Sequence, residues 1–117
     1  MNNILKPDIE FDDFSKVDFR LGTIIDVMDF PKARKPAYQL TIDFGELGIK
    51  KSSAQITAIY TKNDLLNKQI IAVVNFPKKQ IANFFSECLV LGIENNQQQI
   101  VLLNTSKTDL KNGTKIS

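Results

Sequence analysis

Apolar and polar residues alternate in two stretches of the first half of the chain. In Phe19-Arg20-Leu21-Gly22-Thr23-Ile24-Ile25-Asp26-Val27, the residues Phe19, Leu21, Ile25 and Val27 fall on one face. In Tyr38-Gln39-Leu40-Thr41-Ile42-Asp43-Phe44 the alternation is unbroken. A period of two over such lengths predicts half-buried antiparallel strands. Gly45-Glu46-Leu47-Gly48 reads as the turn into a third strand over residues 49–56. Two continuous apolar runs, 70–74 and 89–93, predict strands covered on both faces or rolled into a barrel. Glu94-Asn95-Asn96-Gln97 then turns a hairpin that returns along 100–103. Helical signal is sparse. Thr61-Lys62-Asn63-Asp64 has the spacing of a capping box, with Thr61 as cap and Asp64 reaching back, so a short helix passes through Leu65 and Leu66. Near the start, Asp8 is placed to cap a turn that gathers Phe11 and Phe14. Pro31, Pro36 and Pro77 mark loops, because each removes a ladder donor.

Three strands, a short helix and two further strands are the element order of an OB-fold, a five-stranded all-β Greek-key barrel with its helix between strands 3 and 4. An SH3-like barrel is the competing reading. The chain has 117 residues, which suits one domain over 1–117 with its own core. The apolar segments at both ends exceed what such a barrel needs. They predict N-terminal and C-terminal extensions that form a dimer interface.

Composition removes several chemistries. The chain has no histidine and a single cysteine, Cys88, so imidazole catalysis, His-ligated metals and intrachain disulfides are excluded. Cys88 lies in the apolar run Cys88-Leu89-Val90-Leu91 and reads as a small buried residue rather than a nucleophile. The five glycines form neither a dinucleotide fingerprint nor a phosphate loop, so no cofactor is expected. Asp12, Asp13 and Asp18 flank Phe11, Phe14 and Phe19 and read as a solvated face, and Ser52-Ser53 has no base beside it. The expectation is a binding protein, not an enzyme. No apolar run reaches the roughly 18 residues a membrane span needs, and Met1-Asn2-Asn3-Ile4-Leu5-Lys6 has no signal-peptide core, so a cytoplasmic protein without membrane insertion is expected.

Charge informs by position. The net charge is only +2, yet residues 1–31 carry three basic and seven acidic side chains, and residues 32–80 carry nine basic and three acidic. The basic clusters are Lys32-Ala33-Arg34-Lys35, Lys50-Lys51 and Lys78-Lys79. Brought together, they would suit phosphates or acidic protein segments. In Phe30-Pro31-Lys32-Ala33-Arg34-Lys35-Pro36-Ala37-Tyr38, two prolines stiffen a loop with three cations between aromatics. Residues 75–87 form a second loop mixing cations, amides and aromatics, in which Asn75, Gln80, Asn83 and Ser86 carry hydrogen-bonding groups. Cations neutralise phosphates while aromatic faces stack bases. The same loops suit an extended apolar or basic-flanked polypeptide, with Phe30, Phe84 and Phe85 filling pockets and backbone groups pairing with a strand. For any single Phe, a place in the core is the stronger expectation.

Val17-Asp18-Phe19-Arg20-Leu21-Gly22-Thr23-Ile24 resembles the opening of the tRNA-binding OB-fold domain family, whose members are appended to some methionyl-tRNA and phenylalanyl-tRNA synthetases and also stand alone. Ala37-Tyr38, Ile42-Asp43-Phe44-Gly45, Ser53-Ala54-Gln55-Ile56, Asn75 and Ser86 continue the pattern. Lys50-Lys51-Ser52-Ser53 and Val74-Asn75-Phe76-Pro77 with Gln80-Ile81-Ala82 are similar to a stand-alone branch described as export-related chaperones. The resemblance implies an OB-fold homodimer that binds tRNA, unfolded or pre-export polypeptide, or both. It places Ser53, Asn75, Lys78, Lys79 and Ser86 on the nucleic-acid face, with Lys32, Arg34 and Lys35 beside them. Relatives usually carry Lys where Gln80 stands, a basic residue where Ala82 stands and Gly where Asn83 stands, so fewer phosphate contacts and a flatter salt dependence are expected here. A module that only dimerises and recruits a synthetase is the remaining alternative.

Overall fold

A computed structural model describes residues 4–117. The expectation for the N-terminal hexapeptide falls partly on residues 1–3, which lie outside the described residues. The elements are α1 (Phe11–Ser15), β1 (Phe19–Asp29), β2 (Tyr38–Asp43), β3 (Ile49–Ala54), α2 (Lys62–Leu65), β4 (Gln69–Val73), β5 (Lys79–Ile81), β6 (Phe84–Ser86), β7 (Leu89–Val90), β8 (Gly92–Glu94) and β9 (Ile100–Leu102). The main sheet runs β3-β2-β1-β4-β7 with every neighbouring pair antiparallel. It rolls until β3 meets the segment leading into β7. There the Glu87 N–H donates to the Lys51 carbonyl at 2.7 Å, the Lys51 N–H donates to Glu87 Oε1 at 2.9 Å, and the buried Ser52 hydroxyl donates to the Cys88 carbonyl at 2.9 Å. The result is a nearly closed five-stranded barrel in OB-fold order, with α2 between β3 and β4 as expected.

The unbroken alternation of β2 holds: Tyr38, Leu40 and Ile42 all point into the barrel core with Ile24, Phe44, Ile70 and Ala72. In β1 the expected single face does not survive. Ile24 pairs with Ile42 but Asp26 pairs with Thr41, so Ile25 is the extra residue of a bulge. The bulge reverses the alternation. Gly22, Ile24 and Val27 face inward, whereas Ile25 is exposed and Leu21 is buried on the outer face. Gly22 must lack a side chain, since a Cβ there would lie 2.7 Å from both Ile42 and the fully buried Phe44 ring.

The C-terminal tail pairs antiparallel with the start of β1, along the edge that β2 leaves free. Gly113 donates its N–H to the Leu21 carbonyl at 2.7 Å, Leu21 donates back to Thr114 at 3.1 Å, and Ile116 donates to Phe19 at 3.0 Å. In β4, Ile70, Ala72 and Val73 are buried and Ile71 is half-buried, so neither face of the apolar run is fully exposed, in line with the sequence reading. The apolar run 89–93 instead divides between two sheets: β7 pairs with β4, and β8 pairs with β9 in the expected C-terminal hairpin.

The Thr61 capping box is present. The Asp64 N–H donates to the Thr61 hydroxyl at 3.1 Å and the Thr61 N–H donates to Asp64 Oδ2 at 2.8 Å. The bonds from Thr61, first its backbone N–H and then its hydroxyl, hold the Asp64 carboxyl below its ordinary pKa. Leu65 is buried, whereas Leu66 caps the helix and is exposed. At the N-terminus, Glu10 rather than Asp8 occupies the cap of α1, and its N–H donates to Asp13 Oδ2 at 3.1 Å. Phe11 and Phe14 do meet, with ring centroids 6.0 Å apart, and Phe14 stacks on Phe19 at 5.6 Å.

Cys88 is buried at the barrel seam. Loss of hydration, only partly offset by the hydrogen bond from Ser52, pushes its thiol up to about 11. Its stabilising effect is complete below the ordinary thiol pKa and disappears as the pH rises through about 11. Chemical denaturation between pH 8 and pH 11 should therefore show a loss of up to about 2–3 kcal/mol that the Cys88→Ala variant lacks, with other titrating groups common to both. Identical pH slopes for the two proteins would remove Cys88 from that role.

Candidate nucleic-acid interface

Pro31 and Pro36 bracket the β1–β2 loop, and Ala33 donates its N–H to the Phe30 carbonyl at 3.2 Å to make a tight turn. The Phe30 ring lies under this loop, 5.3 Å from the ring of Phe84 on β6. Phe30 (5% exposed), Phe84 (8% exposed) and Ala37 form a second small core, against which Ala33 and Ile81 pack. The expectation that Phe30 and Phe84 fill pockets on a polypeptide is thus corrected: both rings are spent holding the β1–β2 loop against the β5–β6 hairpin. Phe85 alternates to the other face of the hairpin and is 54% exposed.

With the apolar side of the loop buried, Lys32, Arg34 and Lys35 project outward. They line an open cleft of about 680 Å³. The opposite wall is made by Lys79 and Gln80 of β5, with Ser53 of β3 and Gln55 at the floor. Among the described residues, no carboxylate lines this cleft, and none lies within ion-pair distance of Lys32, Arg34, Lys35 or Lys79. Four uncompensated cations on one concave surface make a field that attracts anions.

Six of the expected site residues therefore converge: Lys32, Arg34, Lys35, Ser53, Lys79 and Gln80. The Gln80 amide donates to the Ala82 carbonyl at 3.1 Å, which supports the turn between β5 and β6. Ala82 sits there at φ 54°, a left-handed conformation costing about 1 kcal/mol for a residue with a Cβ. Ser86 donates to the Cys88 carbonyl at 3.2 Å and lines the adjoining slit instead.

Two expected residues stand apart from the cleft. Both ends of the Asn75 amide are used within the chain: Oδ1 accepts from the Asp18 N–H at 2.9 Å and Nδ2 donates to the Lys16 carbonyl at 2.7 Å. Asn75 thus clips the entry of β1 to the exit of β4. Lys78 pairs with Glu87 Oε2 at 3.7 Å, so the carboxylate that closes the barrel also screens this cation.

Reading residues 75–87 as a loop missed the β5–β6 hairpin and, with it, the packing role of Ile81. The alternation Lys79-Gln80-Ile81 and Phe84-Phe85-Ser86 around the two-residue turn Ala82-Asn83 was the available signal. Gln55 was also missed, because it lies just beyond the end of β3.

Among the described residues no group of His, Cys, Asp or Glu is placed to hold a metal ion, and the one thiol is buried. Among them, too, no helix is long and apolar enough to cross a membrane.

Comparison with known proteins finds relatives of this chain. The chain resembles the CsaA chaperone protein of Picrophilus torridus, at 53% identity and a TM-score of 0.87, over 94% of this chain and 100% of that one. It resembles chaperone CsaA of Bacillus anthracis str. Ames at 51% identity and a TM-score of 0.89, over 95% and 100% of the two chains. It is also 32% identical over 102 residues to the methionine–tRNA ligase of Thermococcus onnurineus (strain NA1). That match spans 87% of this chain but only 14% of the ligase, so it relates this chain to one portion of a larger enzyme. Residues 19–115 match the family described as "Putative tRNA binding domain", a span that takes in the whole barrel, both walls of the cationic cleft and the tail that pairs with β1. On that match, together with the OB-fold strand order, the chain belongs to the tRNA-binding domain family.

Proposed function

We propose that this protein binds tRNA in the cleft between the β1–β2 loop and the β5–β6 hairpin. The observation that carries the reading is the convergence of Lys32, Arg34, Lys35 and Lys79 on one concave surface with no carboxylate among them. Phosphates supply the attraction. Ser53, Gln55 and the free oxygen of the Gln80 amide offer hydrogen bonds to sugars or base edges. A tRNA ligand would place the protein in the cytoplasm. In titrations from low to physiological salt, four phosphate contacts predict a log–log slope of about −3 to −4. Lys79→Ala should weaken binding and flatten that slope by about one unit, whereas Lys78→Ala, outside the cleft and paired with Glu87, should change it less. Equal effects of the two substitutions, or no binding at low salt, would reject this placement.

The protein acts as a homodimer in this reading. The N-terminal segment leaves Ile9 and Phe11 exposed, Phe11 to 76%, beside the Phe14–Phe19 stack. The β8–β9 hairpin likewise leaves Ile93 and Val101 exposed. Apolar surface of this kind is what a second copy would cover. Residues 113–116 belong to the subunit's own β1, so the C-terminal contribution to the interface is the hairpin rather than the tail. Light scattering should find a dimer that Phe11→Ser converts toward monomer. A monomeric parent, or a variant as dimeric as the parent, would contradict it.

A second reading, a chaperone role toward unfolded or pre-export polypeptides, is supported by the similarity to CsaA chaperone proteins and by the exposure of Phe85. Of the three aromatic candidates, only Phe85 is available to a client. In an aggregation assay with an unfolded client, Phe85→Ser should lower protection while leaving tRNA affinity within about twofold. Protection unaffected by the substitution would exclude Phe85 from client contact.

A further inference from the structure

Asn112 and Gly113 form the one Asn-Gly pair in the chain. A glycine after asparagine leaves its own backbone nitrogen unhindered by a Cβ, so that nitrogen can reach the asparagine side chain. The pair sits at the centre of a turn, closed by the Thr114 N–H donating to the Lys111 carbonyl at 3.3 Å, with Gly113 at φ 87°. This turn begins the pairing of the tail with β1, and there both groups are engaged. The Gly113 N–H donates to the Leu21 carbonyl at 2.7 Å. Asn112 Oδ1 accepts from the Thr23 hydroxyl at 2.8 Å and from Gln69 Nε2 at 3.3 Å. The flanking backbone is tied as well: Gln69 Nε2 donates to the Leu110 carbonyl at 2.6 Å, and the Arg20 guanidinium donates to the Gly113 carbonyl at 3.0 Å.

Bonding, not exclusion of water, is what restrains this pair. Both residues are half-buried, and an open hollow of about 180 Å³ lined by Arg20, Glu46, Lys111 and Gly113 reaches the turn. The backbone has no slack, because a Cβ at Gly113 would lie 2.4 Å from the Phe44 carbonyl oxygen. When the tail lifts from β1, hydroxide can take the Gly113 N–H proton, and the nitrogen attacks Asn112 Cγ. The Cγ–Nδ2 bond breaks, ammonia leaves with a proton from water, and a cyclic imide remains. One water molecule then opens the ring. Opening at Cγ leaves aspartate on an unchanged backbone. Opening at the backbone carbonyl leaves isoaspartate, whose main chain runs through Cβ and Cγ and is one carbon longer.

We propose that Asn112–Gly113 is a modification site: deamidation is held off while the tail is seated on β1, and its isoaspartyl product unseats the tail and opens the β1 edge. The two products act differently. Aspartate at 112 keeps an oxygen where Thr23 and Gln69 donate. Isoaspartate displaces Gly113 in a space where a single added carbon already collides with Phe44. Release of the tail leaves the Leu21 N–H and the carbonyls of Phe19 and Leu21 without their partners. An open edge of this kind favours association with other strands, so the modification converts a period spent with the tail lifted into a lasting change of surface. The site rests on neither the tRNA reading nor the chaperone reading.

Folded chain and chain in denaturing urea are aged side by side in mildly alkaline buffer, and conversion at residue 112 is followed by peptide mapping that separates aspartate from isoaspartate. Conversion in urea should be at least about tenfold faster, since lifting the turn in the folded chain breaks several tertiary bonds. Thr23→Val and Gln69→Ala each remove a bond to Asn112 Oδ1 and leave Gly113 unaltered, and either should speed conversion in the folded chain roughly fivefold. These rates are read on unmodified chain, so they decide the proposal even where the isoaspartyl form refolds poorly. In the purified isoaspartyl form the amides of Leu21 and Ile116 should exchange with deuterium faster than in the parent, while Asn112→Asp keeps the parent's rates. Equal conversion in urea and in the folded chain would overturn the proposal. So would folded-chain rates that neither substitution raises, or an isoaspartyl form that protects Leu21 and Ile116 as the parent does.

Discussion

The barrel depends on how few groups close it. A rolled sheet has two edges, and here they meet through one backbone bond from Glu87 to Lys51, the Glu87 carboxylate on the Lys51 N–H, and the Ser52 hydroxyl on the Cys88 carbonyl. Each bond contributes only about 1 kcal/mol net, but leaving the buried Ser52 hydroxyl unpaired would cost more than that. Cys88 fits this position because it is small and stays protonated, so it can sit between β3 and the main core without bringing charge into it. On one side of the closure the chain is fastened. On the other side the strands part, and the cleft begins at Ser53. The extent of the cleft is therefore set by where closure stops.

A second constraint holds the charge. Lys32, Arg34, Lys35 and Lys79 repel one another, and nothing acidic lies among them. What keeps them together is apolar: the Phe30–Phe84 contact, with Ala33, Ala37 and Ile81 around it, ties the loop to the hairpin beneath the cations. Burying two aromatic rings contributes about 1.5–3 kcal/mol each. That is enough to offset repulsion between exposed charges, which the high dielectric of solvent weakens. The prolines act in the same direction by reducing the freedom the loop loses on folding. The aromatics beside a cationic loop are thus the frame of the site rather than its contact surface.

The division between local and remote partners explains which parts of the molecule were legible in the sequence. The alternation of β2, the Thr61–Asp64 box and the buried character of Cys88 are local properties, fixed by neighbours within a few residues, and all three are found as read. The face of β1 was misread because a bulge at Ile25 is selected by pairing with β2, and no residue near Ile25 announces it. Asn75 and Lys78 were read as ligand-binding because their partners are remote. Asn75 bonds to Lys16 and Asp18, and Lys78 pairs with a glutamate whose other oxygen closes the barrel. Phe84 and Phe85 are adjacent and chemically identical, and only their parity on β6 sends one inward and the other outward. The sequence was informative where one element sufficed, and fell short where two had to meet.

The meeting of elements also accounts for how one small barrel can present two chemistries. Ser53, Gln55, Lys79 and Ile81 form the boundary between a cleft lined by cations and a slit floored by aliphatic side chains. The cationic wall comes from the loop and the hairpin, outside the barrel. The apolar floor is the barrel's own interior, seen through the gap left by incomplete closure. A longer seam between β3 and β7 would bury Leu91, Ile100 and Leu102 more fully. A shorter one would unpair Lys51 and expose Ser52 and Cys88, at a cost in stability. The observed length lies between these limits, and it leaves an apolar floor beside a positive wall.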